Sequence, residues 1–325
     1  MSKKIAFVGF QTDSNSQIPS GPWKILYEKL ESKGFILAPE ISDADYYVFL
    51  NNDLRDYRRF VKNSKDSVVI LMEPPSTRTE NFSKELVQQF SKIYSPSPYW
   101  HEHTSVIAFD WPIAKPFDIP LNFHSRKPKA VSVHSNKFSL APGQLYDLRR
   151  ELLRNRATHL DTFGMGWEWG LNSKFRSVIT AIRNVSSVHE INLQKIARYL
   201  LFPANYSSIQ IPDKIELMCK YQFSLVIEND SSYVSEKIWD ALNAETIPLY
   251  VGANLSKFGL TNGLVYECEP TFEAIVSKLY ELVSRDQFER YLEIREFKKS
   301  DMWQQRVNSV VIEGLARSIA NTFGH

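Results

Sequence analysis

The residues richest in chemistry lie together in one stretch, FSLVIENDSSYVSEKIWDALNAETIPLYVG from Phe223, where Glu228, Asn229, Asp230, Glu236 and Lys237 stand between two apolar runs. If FSLVIE is a strand and VSEKIWDALNA a helix, residues 229–235 form the loop at the strand's carboxyl end, with Glu236 and Lys237 in the helix's first turn. Unpaired backbone N–H groups and the positive end of the dipole favour an anion there, and Lys237 adds a full charge suited to a phosphate. The plainer account is an N-cap, with Ser235 or Ser232 capping and Glu236 merely complementing the dipole. For Glu236 alone the two accounts balance; the whole cluster favours a binding site.

A second signal is VVILMEPPS, in which Glu73 follows an apolar strand and is fixed by two prolines. A carboxylate at the carboxyl end of such a strand suits general-base work, although a strand-ending Glu in water reads equally well. Glycine is sparse at 12 residues, and neither G-x-G-x-x-G nor G-x-x-x-x-G-K-[ST] occurs, so side chains would have to hold any bound phosphates. Besides Lys237, the candidates are Arg149 or Arg150 in PGQLYDLRRELL, a run that on charge pattern alone reads as solvated arginines paired with Asp147 or Glu151. Two metal-like patterns carry little weight. The pair His101 and His103 has no further ligand at metal spacing. Asp43 and Asp45 precede the strand YYVFL, at the wrong end of a sheet for a ligand.

These groups need a scaffold, and 325 residues with 43% hydrophobic and 13% aromatic content provide for two domains of ordinary size. Through the first third, KIAFVGF, WKILYEKLESKG, FILAP, YYVFL, DLRDYRRFVKN, SVVILMEPP and ENFSKELVQQF alternate strand and helix as in a parallel sheet. The stretch PIAKPFDIPLNFHSRKP breaks the rhythm with four prolines and marks a boundary, giving domains 1–120 and 121–325. Strands in KAVSVHS, HLDTFG, FSLVIE and IPLYVG alternate with further helical runs in the second, and long helices run from Pro270 to the end. The expected fold is α/β, with two doubly wound Rossmann-like domains facing across a cleft.

Net charge is only +2 with scattered basic residues, so no nucleic-acid partner is expected. No segment reaches the ~20 apolar residues of a membrane span, so the chain is read as soluble or at most peripheral to a membrane. Cys219 and Cys268 form no disulfide framework, and with no secretion signal in MSKKIAFVGF the cytoplasm is the expected compartment. The sequons at Asn184 and Asn205 therefore carry no weight.

With both sites located, the chain resembles the family-10 glycosyltransferases, the α-1,3/1,4-fucosyltransferases, and especially their soluble bacterial members. The segment KYQFSLVIENDSSYVSEKIWDALNAETIPLYVG is similar to that family's K-Y-x-F, E-N, Y-[VI]-T-E-K, apolar helix and [TV]-[IV]-P strand ending in Gly, over roughly thirty positions in register. Weaker similarity covers SVHSNKFSLAPGQLYDLRREL and MEPPS. The resemblance implies a GT-B architecture with an acceptor-binding first domain and a second domain binding a GDP-sugar. It further implies that Asn136, Glu228, Asn229, Tyr233, Glu236 and Lys237 serve the nucleotide sugar, Arg149 the diphosphate, and Glu73 the base. Its partners would be GDP-fucose and an oligosaccharide or glycan acceptor, in an inverting transfer. No obligate metal is implied; Mg²⁺ or Mn²⁺ would at most stimulate. The sequence departs from the family in Ser235 for Thr, in the short DSS before Tyr233, and in YSPSPYW, where many members carry an acidic, Tyr-rich segment. Two other readings remain: a retaining GT-B transferase using Glu228 and Glu236 as E-x7-E, and a non-catalytic binder of nucleotide sugars or glycans.

Overall fold

A computed structural model describes residues 3–12, 17–74, 76–83, 85–97, 104–113, 119–120, 122–183, 191–203, 214–260 and 263–324. His101, His103, Asn184 and Asn205 lie outside these. The chain forms two compact units, Met1–Lys115 with Asp301–His325, and Pro116–Ser300.

In the first unit, strands β1 (Lys3–Val8), β2 (Phe35–Leu37), β3 (Tyr46–Leu50), β4 (Ser67–Ile70), β5 (Lys92–Ser95) and β6 (Val106–Ala108) pair in the order β2-β1-β3-β4-β5-β6. Every pairing is parallel. Such strands are covered on both faces and so read as continuous apolar runs; all of β4 is buried. The connecting helices include α1 (Pro22–Glu31), entered through Pro22 at its first turn, and α2 (Leu54–Phe60), capped by Asp53 accepting from the Arg55 and Asp56 amides. The expected helix in ENFSKELVQQF is instead a 3-10 turn at Thr79–Phe82 followed by a single-turn helix, α3 (Leu86–Gln89).

In the second unit, β7 (Lys127–Val133), α4 (Tyr146–Arg154), β8 (Leu160–Phe163), α5 (Leu171–Arg183), α6 (Leu193–Leu200), α7 (Lys214–Met218), β9 (Tyr221–Ile227), α8 (Glu236–Asn243), β10 (Ile247–Val251), β11 (Tyr266–Glu267), α9 (Phe272–Val283) and α10 (Phe288–Phe297) follow in order. The sheet runs β11-β10-β9-β7-β8, again all parallel. The last two helices, α11 (Asp301–Arg306) and α12 (Asn308–Thr322), belong to the first unit.

That return differs from the sequence reading, which placed 121–325 in one domain. Its cause is the stripe Ile312, Leu315, Ala316, Ile319, Ala320 and Phe323, spaced to bury one face of α12 in the core with Ile5, Leu26, Leu30 and Phe35. Phe323 packs against Phe35 and Tyr46, the Lys3 ammonium donates to the Phe323 and Gly324 carbonyls, and the Tyr94 hydroxyl lies 3.0 Å from Ser318 Oγ. The periodicity in the sequence announces an amphipathic helix but cannot say which sheet it covers. Among the described residues, no helix is long and apolar enough to cross a membrane.

Candidate functional site

The second sheet's strand order turns at β7 and β9: from β7 the chain moves outward to β8, then returns to build β9, β10 and β11 on the other side. At such a switch point the strand order reverses, and ligands of open α/β sheets bind there, beyond the carboxyl ends. The segments that follow these strands, 134–145 and 228–235, are joined. The Leu145 amide donates to the Asn229 carbonyl at 3.1 Å, the Ser231 amide to the Gly143 carbonyl at 2.9 Å, and Gln144 bridges antiparallel to Asp230. Gly143 has φ +77°, a conformation that favours glycine, and a Cβ there would stand 3.0 Å from Ser231 Oγ.

Glu228 is fully buried at the end of β9. Its Oε1 accepts from the Ser235 amide at 2.9 Å, and its Oε2 accepts from Ser235 Oγ at 2.7 Å and Lys237 Nζ at 3.2 Å. Ser235 is also the N-cap of α8, as the sequence allowed, its Oγ accepting from the Lys237 amide at 3.4 Å. One carboxylate thus fixes the cap and the first-turn lysine together. Gly252, after β10, leaves room for it, because a Cβ there would stand 2.7 Å from Glu228 Cγ. The Lys237 side chain is 19% exposed, and its ammonium also meets Ser235 Oγ at 3.0 Å. Two of its three hydrogens are so used, leaving one donor without a partner among the described residues.

The sequence left Arg149 and Arg150 open, with solvation as the plain account; the structure buries both. Arg149 Nη2 donates to the carbonyls of Ile227 at 2.7 Å and Glu228 at 2.8 Å and to Asn229 Oδ1 at 2.9 Å. It therefore straps α4 to the end of β9. Burial pulls its guanidinium down to about 10, although Tyr146 and Glu228 oppose the fall, so it remains charged at neutral pH. Arg150 pairs with Asp147 at 2.5 Å and donates to the Lys137 carbonyl at 2.6 Å and to Asn136 Oδ1 at 3.2 Å. Asn136 is buried, and its amide nitrogen donates to the Gly166 carbonyl at 3.0 Å, so it ties the loop after β7 to the loop after β8.

Around this centre, Tyr233 is buried, its carbonyl accepting from the Tyr250 hydroxyl at 3.4 Å. Asp230 Oδ1 caps its own turn, accepting from the Ser232 amide at 2.9 Å and hydroxyl at 2.6 Å. Glu236, 38% exposed, lies 3.9 Å from Lys214 Nζ. The surrounding protein would raise its carboxyl, yet Lys237 and Lys214 outweigh that and hold it below the ordinary range. One turn on, burial pushes Asp240 up to about 6 against its ion pair with Lys214.

His134, the first residue after β7, was not singled out by its sequence pattern. It is buried, with Nδ1 at 2.8 Å from Ser132 Oγ and its ring edge-on to Trp167. Burial, followed by the nearby Arg149 and Lys237, holds its pKa well below the usual imidazole value. The only sequence signal was position: a histidine directly following an apolar strand.

In the first unit, Glu73 lies just beyond β4, half-buried. Its amide donates to Asn51 Oδ1 at 3.1 Å and its carbonyl accepts from Asn81 Nδ2 at 3.1 Å. Asn51, after β3, has φ +62°, a conformation Asn tolerates better than most residues. Its side-chain oxygen also accepts from the Met72 amide at 2.9 Å and from Asn81 at 2.9 Å. This asparagine pair fixes the Glu73 backbone, and Glu73's carboxylate has no hydrogen bond or ion pair among the described residues. Asp43 and Asp45 precede β3, and Asp45 Oδ2 accepts from the Lys4 amide at 2.9 Å.

The two-sheet architecture is that of the GT-B glycosyltransferases. Among solved structures the chain is similar to an α1,3-fucosyltransferase, with TM-score 0.54 and 13% identity over 99% of this chain and 90% of that one. It is similar also to Anabaena HepE in complex with UDP, with TM-score 0.55 and 10% identity over 99% and 100% of the two chains. A third is sucrose-phosphate synthase from Thermosynechococcus elongatus, with TM-score 0.55 and 8% identity over 98% of each. At these identities the likeness concerns the fold. No family model and no curated protein matches the chain.

Proposed function

We propose that the chain is an inverting glycosyltransferase that moves fucose from GDP-fucose to a hydroxyl of a glycan acceptor. The observation that carries the reading is the convergence of Arg149, Lys237 and the start of α8 at the switch point of the second sheet. Lys237 retains one donor without a partner among the described residues, and the α8 amides supply a partial positive charge beside it. Both favour the charge that grows on a departing diphosphate. Arg149 contributes its fixed positive charge and holds the end of β9 in place. Asn229, Tyr233 and Glu236 complete the donor site, and Asn136 shapes its edge.

Glu73 is assigned the base. It takes the proton from the acceptor hydroxyl while that oxygen bonds to the anomeric carbon and the carbon–phosphate oxygen bond breaks, with inversion. Its carboxylate, without a partner among the described residues, on a backbone held by Asn51 and Asn81 supports this. The E-x7-E reading loses ground because Glu228 spends both oxygens on Ser235 and Lys237 and is fully buried. The structural likeness to an α1,3-fucosyltransferase and the similarity of the segment around Lys237 to family-10 enzymes support fucose. No obligate metal is proposed, Mg²⁺ or Mn²⁺ acting at most as stimulants, and the cytoplasm is proposed as the site of action.

A thermal-shift screen across GDP-, UDP-, dTDP- and ADP-sugars tests the donor, since a ligand that binds the folded state raises its melting temperature. GDP-fucose is expected to stabilise most, and a preference for UDP-sugars refutes the assignment. The anomeric configuration of the product, read by NMR, separates inversion from retention.

A further inference from the structure

We propose that His134 Nε2 accepts a hydrogen bond from a hydroxyl of the bound nucleotide sugar, a contact that rests on the donor-binding reading above. Ser132 Oγ lies 2.8 Å from the Leu225 carbonyl and 2.8 Å from His134 Nδ1. A carbonyl can only accept, so the single hydroxyl hydrogen goes to Leu225. Nδ1 must then donate to the hydroxyl oxygen. That places the ring hydrogen on Nδ1 and leaves Nε2 a bare acceptor.

This acceptor has no partner among the described residues and is itself buried, in a residue only 7% exposed. Buried polar atoms are nearly always satisfied, so an orphan of this kind asks for a ligand. The ring is held by the Nδ1 contact with Ser132 Oγ and by Trp167, and the backbone that carries it is tied at both ends. Its backbone amide donates to the Phe163 carbonyl at 3.0 Å, its carbonyl accepts from Trp167 Nε1 at 3.1 Å, and the rings of His134 and Trp167 meet at 69° with centroids 5.5 Å apart. Protonation does not satisfy it either, because burial, Arg149 and Lys237 all disfavour the imidazolium.

The missing partner must therefore be a neutral donor. A diphosphate bound by Lys237 in the field of Arg149 offers acceptors only, but the groups at its two ends, the ribose and the transferred sugar, both carry hydroxyls. Either one placed beside His134 would satisfy Nε2.

Calorimetric titration of GDP and of GDP-fucose against the wild type, His134→Phe and His134→Gln tests the contact. The Phe variant keeps a ring against Trp167 and lacks the acceptor, so affinity is expected to fall about tenfold. The Gln variant offers a carbonyl oxygen near the place of Nε2 and is expected to stay within about threefold of wild type. A loss on both ligands assigns the nucleoside end, whose hydroxyls are the ribose's; a loss on GDP-fucose alone assigns the transferred sugar. Unchanged affinity in His134→Phe overturns the contact alone. Failure of the wild type to bind any nucleotide sugar overturns the donor reading and the contact together. Should His134→Phe not fold, ¹⁵N-histidine spectra of the wild type decide. They are expected to show the Nδ1–H tautomer and a shift of the bare Nε2 resonance on addition of GDP or GDP-fucose, and no shift with either overturns the proposal.

Discussion

Glu228→Gln tests the central structural assignment. The substitution keeps the shape of the side chain and one carbonyl oxygen, but removes the charge that faces Lys237 Nζ at 3.2 Å and turns an amide donor towards either the ammonium or the Ser235 amide. Breaking a buried ion pair from one side costs about 3–5 kcal/mol. Lys237 is 19% exposed, so water can recover part of its solvation, and a loss of about 2–3 kcal/mol is expected. For a unit of this size roughly 2–4 °C accompany each kcal/mol, so its melting transition should fall by about 5–10 °C. Scanning calorimetry is the assay, because two units need not unfold in one step. Combining the change with Lys237→Met closes a double-mutant cycle, expected to return a coupling of about 1–3 kcal/mol. A transition within about 1 °C of wild type, or a coupling below about 0.3 kcal/mol, refutes the claim that Glu228 anchors the loop.

Glu73→Gln should leave GDP affinity unchanged and lower turnover ~10²–10⁴-fold; near-normal turnover removes Glu73 from the base role. Lys237→Ala should weaken GDP binding roughly ten- to a hundredfold by calorimetry, and undiminished affinity would count against the phosphate contact. Gly252→Ala forces a Cβ to within 2.7 Å of Glu228 Cγ and should destabilise by about 1–3 kcal/mol in urea unfolding. The folded pKa of His134 lies below its unfolded value of 6.5, so under that pH the unfolded chain binds more protons and stability falls as pH falls. Relative to His134→Phe, the wild type should lose up to about 1.4 kcal/mol more per pH unit below about pH 6.5, and parallel acid profiles would contradict a buried neutral ring.

The sequence was most legible where local and long-range demands coincide. The run from Phe223 reads as strand, loop and capped helix because β9 is largely apolar and buried and Ser235 caps α8. Glu73 at the end of β4 was legible for the same reason. Residues whose role depends on distant partners were not. Arg149 and Arg150 carry the charge pattern of a solvated pair, yet the carbonyls of Ile227 and Glu228, far along the chain, take Arg149 into the interior, and the loop after β7 takes Arg150. Asn51 announces neither its positive φ nor its hold on Glu73, and His134 gains its meaning from Ser132 and Leu225, the latter on another strand. The helix in ENFSKELVQQF gave way to a 3-10 turn in which Asn81 is needed to hold the neighbouring loops, its Oδ1 accepting from the Asn52 amide at 2.7 Å.

The return of the chain at Asp301 bears on biosynthesis. Emerging from the ribosome, the first 115 residues carry their sheet but lack the α12 stripe that closes one face of it. The second unit is contiguous, Pro116 to Ser300, and can close as soon as it is made. Folding order is therefore expected to run against synthesis order, the inserted unit first and the amino-terminal one last. Until Ile312, Leu315 and Ile319 arrive, Ile5, Leu26 and Leu30 present bare apolar surface of the kind chaperones hold.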